Sequence, residues 1–207
     1  MNDDDWFYFF AAHHYTCIYF LKIDLSNLFI GDKGTDCLMS VDGTDFSIVE
    51  PWPYNKKTSA KWFSKKFQGP GLRYEVGVAI ETGYIVWING PFLPGKFNDH
   101  MIFERMGLLS NLEDGERVEA DDGYLFFDPE FVKARSSVYH PKENQDMRNT
   151  LRARHETVNR RLKTFRCLSS KFRHTDLGKH QDCFNAVSVL VQFALERGEQ
   201  TYDVEYK

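Results

Sequence analysis

Three acidic positions have the residue type and placement for chemistry: Asp42 in "SVDGTDF", the adjacent Asp121 and Asp122 in "EADDGY", and Glu156 in "NTLRARHETVNRRLKTF". Two or three carboxylates brought together suit Mg²⁺ or Mn²⁺, hard cations that prefer oxygen ligands and leave room for water and a phosphate. Two such ions can activate an attacking water and stabilise the leaving oxygen of a phosphodiester. Spacing alone does not single these residues out, because 30 acids in 207 residues form many triplets. Glu156 also has a plainer reading: Arg152 and Arg160 stand four residues before and after it and would make a surface charge stripe on a helix. Neighbouring strand residues point to opposite faces, so at most one of Asp121 and Asp122 can aim into a shared site.

The elements that must position these acids are readable in outline. "CLMSVDGTDFSIVEP" alternates as a strand and is ended by Pro51 and Pro53. "RYEVGVAIE" and "GYIVWINGPF" read as a hairpin turning near Glu81 to Gly83. Met101, Ile102, Met106, Leu108 and Leu109 predict a helix capped by Asn98 or Asp99, and "RVEADDGYLFF" returns to strand character. Leu151, Val158, Leu162 and Phe165 fall near one stripe of a long basic helix, and "DCFNAVSVLVQFALERG" predicts a second, more buried helix stopped by Gly198. Strands followed by alternation and then helices make a mixed α/β domain, and 207 residues suffice for one substantial core.

Charge and composition narrow the class. The net charge of -4 hides a basic block: Phe131 to His174 holds 12 Lys and Arg against Glu143, Asp146 and Glu156, or 12 - 3 = +9. Such a block is either a solvated helix face or the footprint of a polyanion, whose binding releases counterions. Cys17, Cys37, Cys167 and Cys183 are far apart and form no CxxC pair, which points to a reducing compartment rather than a disulfide framework. The opening "WFYFFAAHHYTCIYFL" is interrupted by His13 and His14 and preceded by Asp3 to Asp5, the wrong flank for a signal peptide and too polar for a membrane span. A soluble intracellular protein is expected.

Taken in order, "LMSVDGTDFSIVEP", "GLRYEVGVAIETGYIVWINGPF", "FNDHMIF", "EADDGY" and "ARHETVNRRLKTFRCL" resemble the DDE-type nuclease domain of Harbinger (PIF/Harbinger) transposases and their domesticated relatives. The similarity runs from about Cys37 to Tyr206. It implies a nuclease domain over 37–207, preceded by a segment, 1–36, without a clear match. It implies an RNase H-like α/β fold, a mixed sheet with flanking helices that brings two strand aspartates together with a helix glutamate. By position, the family's first aspartate matches Asp42, the one ahead of its "xGY" element matches Asp121, and its glutamate matches Glu156; Asp122 falls where the family varies. The resemblance further implies two Mg²⁺ or Mn²⁺ ions, DNA as substrate, cutting and joining of its phosphodiesters, and a nuclear location. Arg160, Arg161 and Lys163 follow Glu156 closely enough to hold a phosphate backbone. The helix-turn-helix region that such transposases carry upstream is not recognisable in the 36 residues before Cys37, so a separate DNA-binding partner, and self-association, are expected. The alternative is a decayed or domesticated domain that binds DNA or protein on the same fold without cutting.

Other constellations have competing readings. Cys167, His174, His180 and Cys183 have zinc-ligand types without the usual paired spacing, and packing beside helices explains the cysteines equally. Asp45 is read as an outer support on the face of Asp42, and Asp99 as a helix cap. Trp52, Trp62 and Trp87 either stack on unpaired bases or pack the core.

Overall fold

The computed structural model describes residues 37–52, 56–105, 107–112, 116–124, 132–134 and 145–199; the expected N-terminal segment 1–36 and the end of the chain lie outside the described residues. The strands are β1 (Met39–Ser47), β2 (Phe63–Ser64), β3 (Gly69–Ala79), β4 (Ile85–Phe92), β5 (Val118–Ala120) and β6 (Val132–Ala134). The helices are α1 (Lys56–Trp62), α2 (Asp99–Arg105), α3 (Leu108–Asn111), α4 (Gln145–Leu162), α5 (Arg166–Ser169) and α6 (Gly178–Glu196).

One mixed sheet organises them. β3 pairs antiparallel with β1, β2 and β4, while β5 runs parallel to β1 and β6 parallel to β5. The β3–β4 hairpin closes at Gly83, whose φ of 73° is cheap only without a Cβ. This mixed α/β sheet with flanking helices is compatible with an RNase H-like fold.

Alternation along β1 assigns its two faces. Met39 and Val41 join Phe103, Leu108, Val118 and Tyr124 in a smaller core under α2 and α3. Ser40, Asp42 and Phe46 face the other way, toward His155 and Asn159 of α4 and Phe184 of α6. The main core lies on that side, where Val158 and Leu162 of α4 and Phe184, Val187, Val191 and Leu195 of α6 cover Leu72, Tyr74, Val76 and Val78 of β3. Each such side chain, fully buried, contributes roughly 1.5–3 kcal/mol. The cover holds α4 against β1, so the polar stripe of α4 beside its apolar one is delivered to Asp42. α6 ends as expected: Gly198, at φ 86°, donates its N–H to the Leu195 carbonyl (3.0 Å). Among the described residues no helix is long and apolar enough to cross a membrane.

Candidate functional site

The site forms where two parallel strands part. β1 and β5 pair only at Met39–Val118 and Ser40–Glu119, so Asp42 and Asp121 follow just beyond the last paired residues. β5 ends at Ala120, and a turn rather than strand alternation sets the direction of the next residues. The Asp121 carboxylate accepts the Gly123 N–H (2.8 Å), and its carbonyl accepts the Tyr124 N–H (3.1 Å). Tyr124 is buried edge-on against Phe103 (5.8 Å between centroids) and anchors the turn. α4 supplies the third wall, and a cleft results whose lining includes Asp42, Asp121 and Glu156 together with Ser40, Arg152 and His155. Asp122, exposed at the start of the 3-10 turn, is not among the lining residues.

Glu156 lies at the rim, 65% exposed and paired with Arg152 at 3.1 Å, so the charge stripe and the cleft position coexist. Among the described residues no three His, Cys, Asp or Glu side chains already converge as a ligand set. Crowded carboxylates repel when no cation lies between them. Burial, then the neighbouring Asp121 charge, pushes the Asp42 carboxyl above the usual range, against the pull of Lys66, the Gly43 N–H and Arg152. The Asn159 amide donates to Asp42 Oδ2 (3.3 Å), which leaves its own buried Oδ1 without a partner. His155, 3% exposed, meets Ser40 Oγ through Nδ1 (2.8 Å) while Nε2 has no partner. Burial lowers its pKa to about 4, so the ring is neutral at neutral pH. The Asp42 carboxylate, of raised proton affinity and beside an orphaned amide oxygen, fits a hard divalent cation.

Asp99 is a fourth acid at this place. Burial foremost raises its pKa, with the Asp42 and Asp121 charges adding and Arg73 opposing. It is not the helix cap expected for it: the Asn98 side chain accepts the Met101 N–H (2.8 Å) and fills that role. Asp99 instead accepts Arg73 Nη1 (3.1 Å), whose Nε and Nη2 grip fully buried Asp45 at 2.7 and 3.1 Å. Ser64 Oγ closes the chain on Asp45 Oδ2 at 2.6 Å. Asp45 stands three residues beyond Asp42 and therefore on the opposite strand face, which corrects its reading as a same-face support. It acts from beneath, through Arg73 and Asp99.

The glycines of "DGT" and "DGY" make this crowding feasible. A Cβ on Gly43 would lie 2.3 Å from Asp99 Oδ1, and one on Gly123 would lie 2.9 Å from Asp121 Oδ1 and 3.4 Å from Asp99 Oδ2. Below them sits Glu75, 0% exposed, which accepts Trp87 Nε1–H (2.8 Å) and the Tyr124 hydroxyl (3.3 Å). Burial raises its pKa to about 8, so it is a neutral acid at neutral pH. Nothing in its strand pattern marked it, because the signal is burial without a cationic partner.

The basic residues beyond Glu156 divide. Arg160 and Lys163 lie four and seven positions on, on its helix face, with Arg160 exposed and Lys163 Nζ above the Phe46 ring (5.3 Å). Arg161 turns aside toward Glu199, at 3.4 Å. The zinc constellation does not assemble, since His180 is drawn into the core by Tyr74 (Nδ1 to OH, 2.8 Å), whereas Cys167 and His174 are exposed. Trp87 and Trp62 pack against the two cores, while Trp52 is 85% exposed.

A mixed sheet that presents acids at the parting of β1 and β5, faced by a glutamate from a helix, is compatible with an RNase H-like fold. Residues 41–192 match the model of the DDE superfamily endonuclease family, and the chain belongs to that family. Neither the curated proteins nor the solved structures yield a match.

Proposed function

We propose that this chain is a metal-dependent DNA endonuclease domain of Harbinger transposase type, with Asp42, Asp121 and Glu156 as its ion-holding acids. The observation that carries the reading is that three acids from β1, the turn after β5 and α4 line one cleft. Mg²⁺ or Mn²⁺, as two bound ions, would supply water activation and charge stabilisation at the leaving oxygen of a phosphodiester. The chain's own residues do the rest. Asn159 orients the Asp42 carboxylate, the Gly123 and Tyr124 N–H groups fix Asp121, and Arg73 holds Asp99 close beside both. Arg152 neutralises Glu156 and would be released when a cation takes its place. Arg160 and Lys163 continue the same face of α4 and would receive the phosphate backbone. A freed 3′-hydroxyl in place of water gives joining rather than cutting.

The direct test is thermal unfolding with and without Mn²⁺ or Mg²⁺. Ions held by the folded site stabilise it by mass action, so the wild type should gain Tm and Asp42→Asn should not. Equal Tm gains in both proteins would remove Asp42 from the site.

A further inference from the structure

The short β2–β3 turn, Lys65 to Gln68, is absorbed neither by the acid site nor by the basic helix. Phe63 of β2 and Phe67 of the turn, 41% and 40% exposed, stand on either side of its two lysines. The two half-exposed phenylalanines thus flank a pair of cations. The turn is also rigidly tied to the site. Lys66 Nζ donates to the Gly43 carbonyl (2.5 Å), the residue after Asp42. The Lys66 N–H donates to Ser64 Oγ (3.2 Å), which itself donates to Asp45. Gln68, at φ 55°, closes the turn and donates its side-chain amide to the Lys65 carbonyl (2.9 Å).

A third cation arrives from another element. Lys163, at the C-terminal end of α4, lies above Phe46, three residues past Gly43 on β1. Burial first, and then the charge of Lys66, lowers its pKa, while Asp45 and Asp42 pull the other way, so Lys163 and Lys66 feel the same surroundings beside Asp42. A like-charge pair kept together next to a cleft is relieved by a shared anion. Flat aromatic faces beside it suit bases that are not paired, because a duplex keeps its base faces stacked inside.

We propose that the Phe63–Gln68 turn and Lys163 form a binding surface for an unpaired stretch of DNA strand beside Asp42. Lys66 and Lys163 share a backbone phosphate, and exposed Phe67 offers a face on which a base stacks. This rests on DNA being the substrate, and it adds which strand conformation the cleft receives.

The test is fluorescence anisotropy in EDTA with a blunt duplex and the same duplex carrying a short unpaired thymine tail. The wild type should bind the tailed duplex about tenfold more tightly. Phe67→Leu keeps an apolar group near Gly71, where a Cβ would lie 3.4 Å from the Phe67 ring, but lacks the π-face, and should erase that preference while leaving blunt-duplex binding unchanged; Phe67→Trp should retain it. Lys66→Gln and Lys163→Gln should each weaken tail binding, and the double variant should be little worse than either single, because one phosphate is lost once. Absence of tail preference in a wild type that nicks DNA overturns the inference and leaves the nuclease reading standing. Additive lysine losses, or a tail preference that survives Phe67→Leu, also overturn it. Tail preference without nicking supports the inference and counts against catalysis.

Discussion

Glu75→Gln is the substitution whose effect follows most directly from burial. Glu75 has no exposure and a pKa of about 8, against 4.5 for the free side chain, so between those values the folded protein keeps a proton that the unfolded chain has lost. Its contribution to stability is therefore complete below pH 4.5 and is lost as the pH rises through about 8. His155 and His180 act in the opposite sense: their folded pKa values of about 4 mean that stability is complete above 6.5 and lost as the pH falls toward 4. Stability in EDTA should thus peak near pH 6.5 and decline to pH 8. At about 1.4 kcal/mol per pH unit per proton, that decline amounts to about 2 kcal/mol, or about 4–8 °C in Tm for a chain of this size. Gln keeps an acceptor for Trp87 and offers its amide to the Tyr124 oxygen, so Glu75→Gln should fold and lose the decline. Differential scanning calorimetry across the range reads both curves. A wild-type Tm that stays flat from pH 6.5 to 8, or a Glu75→Gln protein with the wild-type slope, would refute the buried neutral acid.

Two further outcomes follow from the same geometry. Gly43→Ala should fold less stably and lose metal-dependent activity, because its Cβ would come within 2.3 Å of Asp99 Oδ1; thermal unfolding and nicking assays on the variant check this, and wild-type behaviour in both would contradict the crowding argument. In duplex binding measured against salt, Arg160→Ala and Lys163→Ala should each reduce the slope by about one, whereas Arg161→Ala, already paired with Glu199, should leave it unchanged.

Sequence and structure agree where local pattern decides. β1, the β3–β4 hairpin and its turn, the Asn98 cap and the stop at Gly198 are all written in alternation, periodicity and turn chemistry. Asp42, Asp121 and Glu156 were legible as candidates, and they line one cleft. The support beneath them was not legible. Asp45, Arg73 and Asp99 come from three elements, and their relay exists only because β1 pairs with β3 and α2 folds back beneath Gly43. Asp99 follows a better cap, and its helical position concealed its partner. Strand alternation admits only one of Asp121 and Asp122 and the family resemblance selects Asp121, yet β5 stops one residue earlier and a hydrogen-bonded turn presents Asp121. Arg161 illustrates the same limit, since proximity in sequence to Arg160 says nothing of Glu199, which reaches it from beyond α6.

The central claim is that Asp42, Asp121 and Glu156 hold the ions that cut DNA. Nicking of supercoiled plasmid in Mg²⁺ and in Mn²⁺ by Asp42→Asn, Asp121→Asn, Glu156→Gln and Asp122→Asn, with DNA binding measured separately in EDTA, tests it most directly. The first three should lose nicking while binding is unchanged or slightly tighter, because each removes a negative charge near the phosphate path, and Asp122→Asn should remain active. Nicking that persists in Asp42→Asn, or a folded, DNA-binding wild type that never nicks even with a candidate DNA-binding partner supplied, would contradict it.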